Sequence, residues 1–461
     1  MSYSVEFTTK KDIEPEKVFQ KIADHGEGIM VTSSDFPSLK FGVMNESLRG
    51  IEVNRSEEGY EVRCLSCSSA ADYFLFSLAV DAVTALSEVE GISEDGIPIV
   101  NPYESYGEKW VDFQLDSSRN IISTMVNHTG SEIVMTGMFF PFCIGINLLR
   151  EYQGSAKKPN KEAFGELLDY LVHLQWSYSD AETTRSRLRI QNPNDENDRP
   201  LGISLIAIEN NQLNNFQIVT HDDLVGFVDM DRDKTVLIHF NDFRKTIHNN
   251  KFLRIDECQY RICDAPTADD VRNMMEIAQR FHPDDLFYRP TFPGSGKDPK
   301  QSTFILMWNP NISSVNEDGF VESMIDMFEG WFNWSVFEWQ KAKMGDRFYL
   351  IRVGEGNKNG VVMAGIFGSQ PYKSDDWSGK KRVVYYMDLY PNVVVNPKTE
   401  PIMTTEELEK VVPDYQWRGG HSGIMLNKAQ AEALEATFAL CLAKLEKSGN
   451  DGDDVLIRHR I

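Results

Sequence analysis

The stretch GDRFYLIRVGEGNKNGVVMAGIFGSQPY, residues 345–372, predicts the fold of the carboxy-terminal part of the chain. A turn leads into an apolar run at 348–353, and a glycine-rich turn separates it from a second apolar run at 361–368. Short apolar runs bounded by turn residues are typical of buried β-strands. The second run also contains small residues, which indicate that another segment packs closely against it: Ala364, Gly365 and Gly368.

The flanking sequence extends this pattern into a domain over residues 303–447. Six of the eight tryptophans of the chain lie between positions 303 and 420. Hydrophobic periodicity predicts three further strands, an amphipathic segment and a terminal helix, at 304–307, 383–390, 393–396, 320–328 and 428–447, respectively.

Seven short motifs follow one another in this domain. In order they are Trp-Asn-Pro, Trp-Ser, Gly-Asp-Arg-x-φ-Leu-φ-Arg (φ apolar), Gly-φ-φ-φ-Ala-Gly, Ser-x-Pro-Tyr, x-Trp and Ser-Gly-Ile. By these motifs residues 303–440 resemble the EVE domains of the PUA-like superfamily, as found in bacterial modification-dependent restriction proteins. The resemblance implies a small, bent β-barrel with flanking helices. It also implies an aromatic-walled pocket that accepts a modified base flipped from DNA, or a related nucleobase.

The resemblance also implies which residues form the pocket. Such a pocket suits a base because indoles can stack on its faces and rim groups can hydrogen-bond its edge, each stack being worth about 1–3 kcal/mol. Family members usually carry a second serine where His421 stands. The resemblance therefore does not indicate which edge of the base this chain would recognise, or whether it recognises one. The implied ligand-binding residues are Trp308, Asn309, Trp334, Ser335, Trp417, His421, Ser422 and Gly423.

Core packing is the alternative interpretation of these tryptophans. Ligand stacking and core packing fit Trp308, Trp334 and Trp417 equally well. For Trp331 and Trp339 the core is the better interpretation.

The charge of the chain limits where nucleic acid could bind. Asp and Glu number 70 against 47 Lys and Arg, a net charge of −23, which excludes a broad cationic surface. Residues 303–440 hold 13 Lys and Arg against 18 Asp and Glu, so they contribute only −5 of it. A local site therefore remains compatible with the charge, and a basic cluster lies beside Trp377. The phosphate-contact candidates are Lys380, Lys381, Arg382 and Arg418.

The remainder of the chain is acidic, and its sequence pattern predicts both helices and strands. The predicted fold class of the protein is therefore α+β. We expect an α+β domain over 1–190, a second α+β subdomain over 191–282 packed on it, a linker over 283–302, and a polar tail over 448–461. The polar run QNPNDENDRP opens the second segment, and four prolines and two glycines occupy the third. Within the first segment, helices are expected at 14–24, 70–86 and 162–174, and strands at 110–115 and 133–140. Thr267 followed by Asp270 predicts a helix start.

The motifs of common catalytic and metal sites are incomplete. Pro293-Gly-Ser-Gly-Lys297 lacks the glycine at 291 and the Ser or Thr at 298 that a phosphate-binding loop requires. Cys64 and Cys67 could bind zinc with Cys258 and Cys263, but ordinary thiols explain their spacing better. The histidines form no metal-binding pair, and no nucleophile has an identifiable base. We therefore expect no catalytic residues, no metal and no cofactor, and a binding protein rather than an enzyme.

Together these observations predict a cytoplasmic, bacterial protein. The polar amino terminus, the lack of a long apolar stretch and the six cysteines favour an intracellular protein with reduced thiols and no membrane partner. The first hypothesis is a non-catalytic binding protein that recognises a modified nucleobase in DNA or RNA, as a defence-related sensor. The main alternative is an acidic module that mimics nucleic acid or engages a protein partner through the amino-terminal region. A third hypothesis is an unrecognised hydrolase in that region. That region weakly resembles an uncharacterised bacterial family, which implies no activity.

Overall fold

The structure is a computed structural model that describes most of the chain. The described residues are 2–26, 28–33, 38–57, 59–86, 88–94, 96–129, 133–153, 159–179, 183–184, 188–195, 197–207, 218–220, 223–248, 251–257, 259–263, 266–296, 298–376, 378–447 and 454–457.

The fold is α+β, as the sequence predicts. In chain order the strands are β1 Ser2–Thr9, β2 Ile29–Ser33, β3 Ser38–Val43, β4 Ile51–Arg55, β5 Gly59–Leu65, β6 Val89–Glu94, β7 Ile97–Pro98, β8 Ile133–Met135, β9 Phe142–Ile144, β10 Thr183–Thr184, β11 Leu188–Ile190, β12 Leu201–Ala207, β13 Ile218–Thr220, β14 Leu224–Asp229, β15 Lys234–His239, β16 Phe252–Asp256, β17 Gln259–Ile262, β18 Thr303–Trp308, β19 Phe332–Ser335, β20 Arg347–Arg352, β21 Gly360–Phe367, β22 Tyr372–Asp375, β23 Val383–Val395, β24 Met403–Thr404, β25 Ile424–Met425 and β26 Val455–Ile457. The helices are α1 Pro15–Ala23, α2 Ala70–Thr84, α3 Pro102–Ser105, α4 Glu108–Thr129, α5 Ile146–Gln153, α6 Lys161–Ser177, α7 Phe240–Thr246, α8 Ala268–Ala278, α9 Glu317–Glu322, α10 Met324–Phe328, α11 Thr405–Val411 and α12 Lys428–Lys447.

The chain divides into two compact units. Unit 1 comprises Met1–Thr184, Asn215–His221 and Asn250–Asp264, and unit 2 comprises Arg185–Asn214, Asp222–Asn249 and Ala265–Ile461. The segment expected as a second subdomain, 191–282, is therefore shared between the units, because its strands join sheets in both.

Unit 1 is built on a seven-stranded antiparallel sheet with the order β2-β3-β4-β5-β1-β6-β7. Helix α2 packs on this sheet, and its buried side chains join the sheet's apolar core. Helices α4, α5 and α6 surround a second core. The predicted helices at 14–24, 70–86 and 162–174 are confirmed as α1, α2 and α6. The strand expected at 110–115 is wrong, because these residues form part of the 22-residue helix α4.

Unit 2 contains a curled, half-barrel sheet of nine strands, with the central order β19-β23-β21-β20-β18-β25. Strands β20 and β21 pair as antiparallel neighbours across the glycine-rich turn, and every residue of both is buried. A Cβ on Gly365 would lie 2.3 Å from the Tyr390 carbonyl oxygen, which confirms the predicted close packing. The two strands expected at 383–390 and 393–396 form one strand, β23, because a register shift opposite Pro391 accommodates the proline.

The segment 283–302, expected as a linker, is fastened to the sheet domain. The Gly294 and Gly296 N–H groups donate to Glu435 Oε1 over 2.7 and 3.1 Å. Arg347 forms an ion pair of 3.0 Å with the same carboxylate and donates to the Gly296 carbonyl oxygen. The glycine loop that superficially suggests a phosphate site therefore holds the chain's own carboxylate.

Two further observations concern the termini and the cysteines. In the expected polar tail, β26 pairs with β23. Cys143 is disulfide-bonded, whereas Cys64, Cys67, Cys263 and Cys441 are free. The disulfide of Cys143 differs from the expectation of reduced thiols, which depends on the small number of cysteines and the polar amino terminus. Within the described residues, no helix has the length and apolarity needed to cross a membrane.

Candidate functional site

Trp308 and Trp417 lie in the core of unit 2. Their exposed fractions are 0% and 1%. The Trp308 indole N–H donates to the Val315 carbonyl oxygen over 2.8 Å, and the Trp417 indole N–H donates to Val412 over 2.9 Å. Both indoles thus have buried rings and satisfied N–H groups. In this structure they pack the domain and offer no face to a ligand.

Trp334 is half-buried on β19 and is joined to Ser422. Its indole N–H donates to Ser422 Oγ over 2.9 Å, and the Met307 backbone N–H donates to the same oxygen over 3.0 Å. The Phe337 N–H donates to the Ser422 carbonyl oxygen. The loop after Trp417 is therefore fastened to β18 and to the end of β19.

Gly423 permits this close approach. Its φ of +86° lies in the left-handed region, and a Cβ there would stand 2.5 Å from Val336 Cα. Trp334 and the adjacent residues Ser422 and Gly423, which lie far from Trp334 in sequence, therefore meet at one place.

The Ser422 hydroxyl has one hydrogen-bonding function left. A serine hydroxyl accepts two hydrogen bonds and donates one. Both acceptor positions are used, by Trp334 and Met307. Among the described residues, the structure shows no acceptor for its proton. Ser422 is half-buried, so this proton can be donated to a ligand or to solvent.

An exposed aromatic pair adjoins Ser422. His421 and Phe337 stack with centroids 4.3 Å apart and planes 13° apart. Phe337 is 57% exposed, so this flat surface is open to solvent. The sequence predicts His421 as a site residue but does not indicate its partner, because Phe337 carries no motif.

Ser335 and Asn309 do not share the contacts of Trp334 and Ser422. Ser335 follows Trp334 on β19 and therefore points to the opposite face of the sheet, across from Tyr386. Asn309 ends β18 as a turn residue whose Oδ1 accepts the Asn311 N–H over 3.1 Å. Its side chain lies against Gly354, whose φ is +112°.

A second aromatic stack was not predicted from the sequence. Trp339 and Tyr385 lie parallel with ring centroids 3.5 Å apart, and both are half-buried. Lys373 Nζ lies 5.9 Å from the Tyr385 centroid. Lys373 and Tyr385 lie on the β22–β23 hairpin and Trp339 lies after β19, so only the fold brings these residues together and sequence spacing contains no signal for them.

The basic candidates divide into engaged and exposed residues. Arg418 donates to Glu409 over 2.7 Å and to Glu406 over 3.2 Å, which raises its pKa. Arg382 forms an ion pair with buried Asp376. The N–H and hydroxyl of Ser378, together with Arg382, lower the pKa of Asp376 to about 2, so this carboxylate stays charged.

Lys380 and Lys381 are exposed. They remain available for a phosphate, together with Lys373 on the same hairpin. Trp377, expected beside this cluster, lies outside the described residues.

The cysteine candidates for zinc do not form a metal centre in the described part of the chain. No group of three or more His, Cys, Asp or Glu could hold a metal ion there. Cys64 is fully buried, and burial raises the pKa of its thiol. Cys258 lies outside the described residues.

Comparison with known proteins adds no relative. No family model, no curated protein and no solved structure matches the chain. The resemblance to EVE domains stays a prediction that depends on the seven motifs.

Proposed function

We propose that unit 2 is a non-catalytic reader of a modified nucleobase in DNA or RNA, and that it belongs to a defence-related sensor. The base lies beside Trp334, and the Ser422 hydroxyl donates to an acceptor on its edge. The observation that carries the proposal is the Ser422 hydroxyl itself. Its two acceptor positions are filled from inside the protein, and its proton is left beside a half-buried indole.

The surroundings of Ser422 support a flat ligand. The exposed His421–Phe337 stack offers a π surface next to the hydroxyl. A nucleobase combines two such stacking faces with an edge that carries acceptors. The seven motifs of the EVE resemblance favour the same ligand class.

The charges near the site support recognition of a single base more than recognition of a long sugar-phosphate backbone. Two of the four basic candidates, Arg382 and Arg418, already pair with carboxylates. The exposed lysines of the β22–β23 hairpin suffice for one or two phosphates. Affinity then comes mainly from the base.

Fluorescence anisotropy with the full chain tests the proposal. The probes are labelled single strands containing one 5-methylcytosine, 5-hydroxymethylcytosine or N6-methyladenine, each paired with its unmodified strand. We expect micromolar binding of a modified strand and weaker binding of the plain one. Trp334→Ala should weaken binding about 5- to 150-fold, the loss of one stacking interaction. His421→Ala should weaken it less.

Trp331→Ala is the matched control. Trp331 is also a tryptophan of this segment and is 50% exposed, but it contacts Arg244 rather than Ser422. It should leave binding unchanged. The proposal fails if no strand binds the wild type below 100 μM (about −5.5 kcal/mol), or if Trp334→Ala and Trp331→Ala behave alike.

A further inference from the structure

Unit 1 contains a large groove that the proposed function does not use. It lies between helices α4 and α6 and encloses a cavity of about 800 Å³. Pockets for small molecules measure roughly 300–1,000 Å³. The turn at Asn45–Glu46 and the start of α2 also line it.

The lining of the groove is apolar where the two helices face each other. Leu115 on α4 and Phe164, Leu168 and Val172 on α6 contribute side chains that are buried or half-buried. Trp176 lines the same groove, and its indole N–H donates to the Ser47 carbonyl oxygen over 2.8 Å. The groove therefore offers a preformed apolar and aromatic surface.

Gly165 lines the groove and has no side chain to occupy it. It occupies the interior of α6, where glycine costs roughly 0.5–1 kcal/mol relative to alanine. A Cβ at this position would meet no atom of the described residues within 4 Å. Packing within unit 1 therefore does not require a glycine here, and the absent side chain leaves space for a ligand lying along α6.

The charges that line the groove favour a cation. Arg119 and Lys161 both pair with Asp116, over 3.1 and 3.0 Å. With the other lining carboxylates, on Glu46, Asp112 and Asp169, the Asp, Glu, Lys and Arg side chains of the groove sum to a formal charge of −2. Asp112 on α4 and Asp169 on α6 line the groove and are exposed.

The start of α2, which could favour an anion, is already capped. Ser69 Oγ accepts the Asp72 N–H, and the Asp72 carboxylate accepts the Ser69 N–H. The helix terminus thus has its own carboxylate.

We propose that this groove binds a small organic cation with an apolar or aromatic body. The body lies along α6 over Gly165, Leu168 and Val172, and the cationic group lies between Asp112 and Asp169. The site is independent of the nucleobase site in unit 2.

Matched probes test this proposal on the full chain. Calorimetric titration compares 1-naphthylmethylamine, a cation at pH 7, with 1-naphthylacetate, an anion with the same ring system. We expect the amine to bind with a Kd of about 1 mM or tighter and the acetate to bind at least about tenfold more weakly. Asp112→Asn and Asp169→Asn should each weaken amine binding about three- to fivefold. Glu162→Gln, which removes a carboxylate of α6 outside the groove, should leave it unchanged.

Substitutions that fill the groove distinguish a loss of amine binding from a loss of stability. Gly165→Leu should abolish amine binding while the melting temperature stays equal or rises, because leucine favours the helix. Gly165→Ala is the milder variant, and Glu166→Leu adds an apolar side chain to α6 outside the groove. Equal binding of the acetate, no binding of the amine up to about 5 mM, or unchanged binding to both Gly165 variants would overturn the proposal.

Discussion

At the residue scale, Glu435 and Arg347 form a buried ion pair in unit 2, and the carboxylate of this pair also accepts several hydrogen bonds. Both are more than nine-tenths buried, and their atoms lie 3.0 Å apart. The carboxylate also accepts the Tyr349 hydroxyl over 2.7 Å and the N–H groups of Gly294 and Gly296. Removing one partner of such a pair leaves a buried charge without compensation.

We therefore expect Glu435→Ala to lower the free energy of unfolding of unit 2 by about 3–5 kcal/mol. Replacing both partners, as Glu435→Leu with Arg347→Met, should cost much less than the sum of the single changes, because no charge is then left unpaired. Urea unfolding followed by tryptophan fluorescence measures both. A loss below about 1 kcal/mol for Glu435→Ala would contradict the assignment.

A second residue, Asp346, should make stability depend on pH. Burial raises the pKa of its carboxyl from 3.8 to about 6, although it accepts the Ser302 and Lys343 N–H groups. Between pH 4 and 6 the folded state therefore binds a proton that the unfolded state has released. This contribution is present below about pH 4 and is lost as the pH rises to 6, by about 3 kcal/mol.

Comparison with Asp346→Asn isolates this effect from the other carboxylates. The difference in unfolding free energy between wild type and variant should shift in the variant's favour from pH 4 to pH 6. A difference that does not vary with pH would show that Asp346 keeps its ordinary pKa.

At the scale of the element, two helices begin with the same capping motif in different surroundings. In α8, Thr267 and Asp270 bond each other at a partly exposed helix start. In α2, Ser69 and Asp72 do the same, but Asp72 is fully buried. Its carboxylate also accepts the N–H groups of residues 48, 49 and 50. The cap of α2 thus also holds the turn between β3 and β4.

Asp72→Ala should therefore cost at least about 3 kcal/mol, since several buried N–H groups lose their acceptor. Asp270→Ala should cost only about 1 kcal/mol. Hydrogen-exchange protection of peptides from α2 and α8 measures each helix directly. Equal losses of protection would show that burial of the cap has no effect.

Local sequence patterns predict the helices and strands better than they predict which residues contact each other in the fold. The glycine-rich turn between β20 and β21 and the cap of α8 could be predicted because each depends on neighbouring residues. The strand at 110–115 was wrong because six residues are too few to distinguish a strand from part of a long helix. The roles of Trp308, at the end of β18, and Trp417, in the loop after α11, could not be predicted, since an indole at either place suits a core and a ligand equally. The Ser422 contacts depend on three separate segments meeting.

At the scale of the whole molecule, the net charge of −23 opposes a polyanion. Most nucleic-acid-binding proteins bind more tightly at low salt because they release counterions from phosphates. Here few cations face the ligand, and about −18 of the charge lies outside residues 303–440. Low salt should therefore leave this repulsion unscreened.

We expect binding of a modified strand to weaken only modestly as NaCl rises from about 50 to 300 mM, with a slope between about 0 and −1.5, because one or two phosphate contacts are partly offset by a repulsion that salt screens. Anisotropy titrations over this range give the slope of log K against log salt. A slope steeper than about −2 would require several phosphate contacts and contradict a reader that depends on the base. Repeating the series with the free nucleoside should give no salt dependence.

The hydrogen bonds between the 293–296 loop and Glu435 also affect when the sheet domain can fold during synthesis of the chain. The loop precedes the first strand of the curled sheet, whereas Glu435 lies on α12, which follows the last strand of its central path. During synthesis the Arg347 guanidinium leaves the ribosome long before its carboxylate partner. The sheet domain therefore cannot bury Arg347 at low cost until α12 has been translated, and its folding is completed late in synthesis.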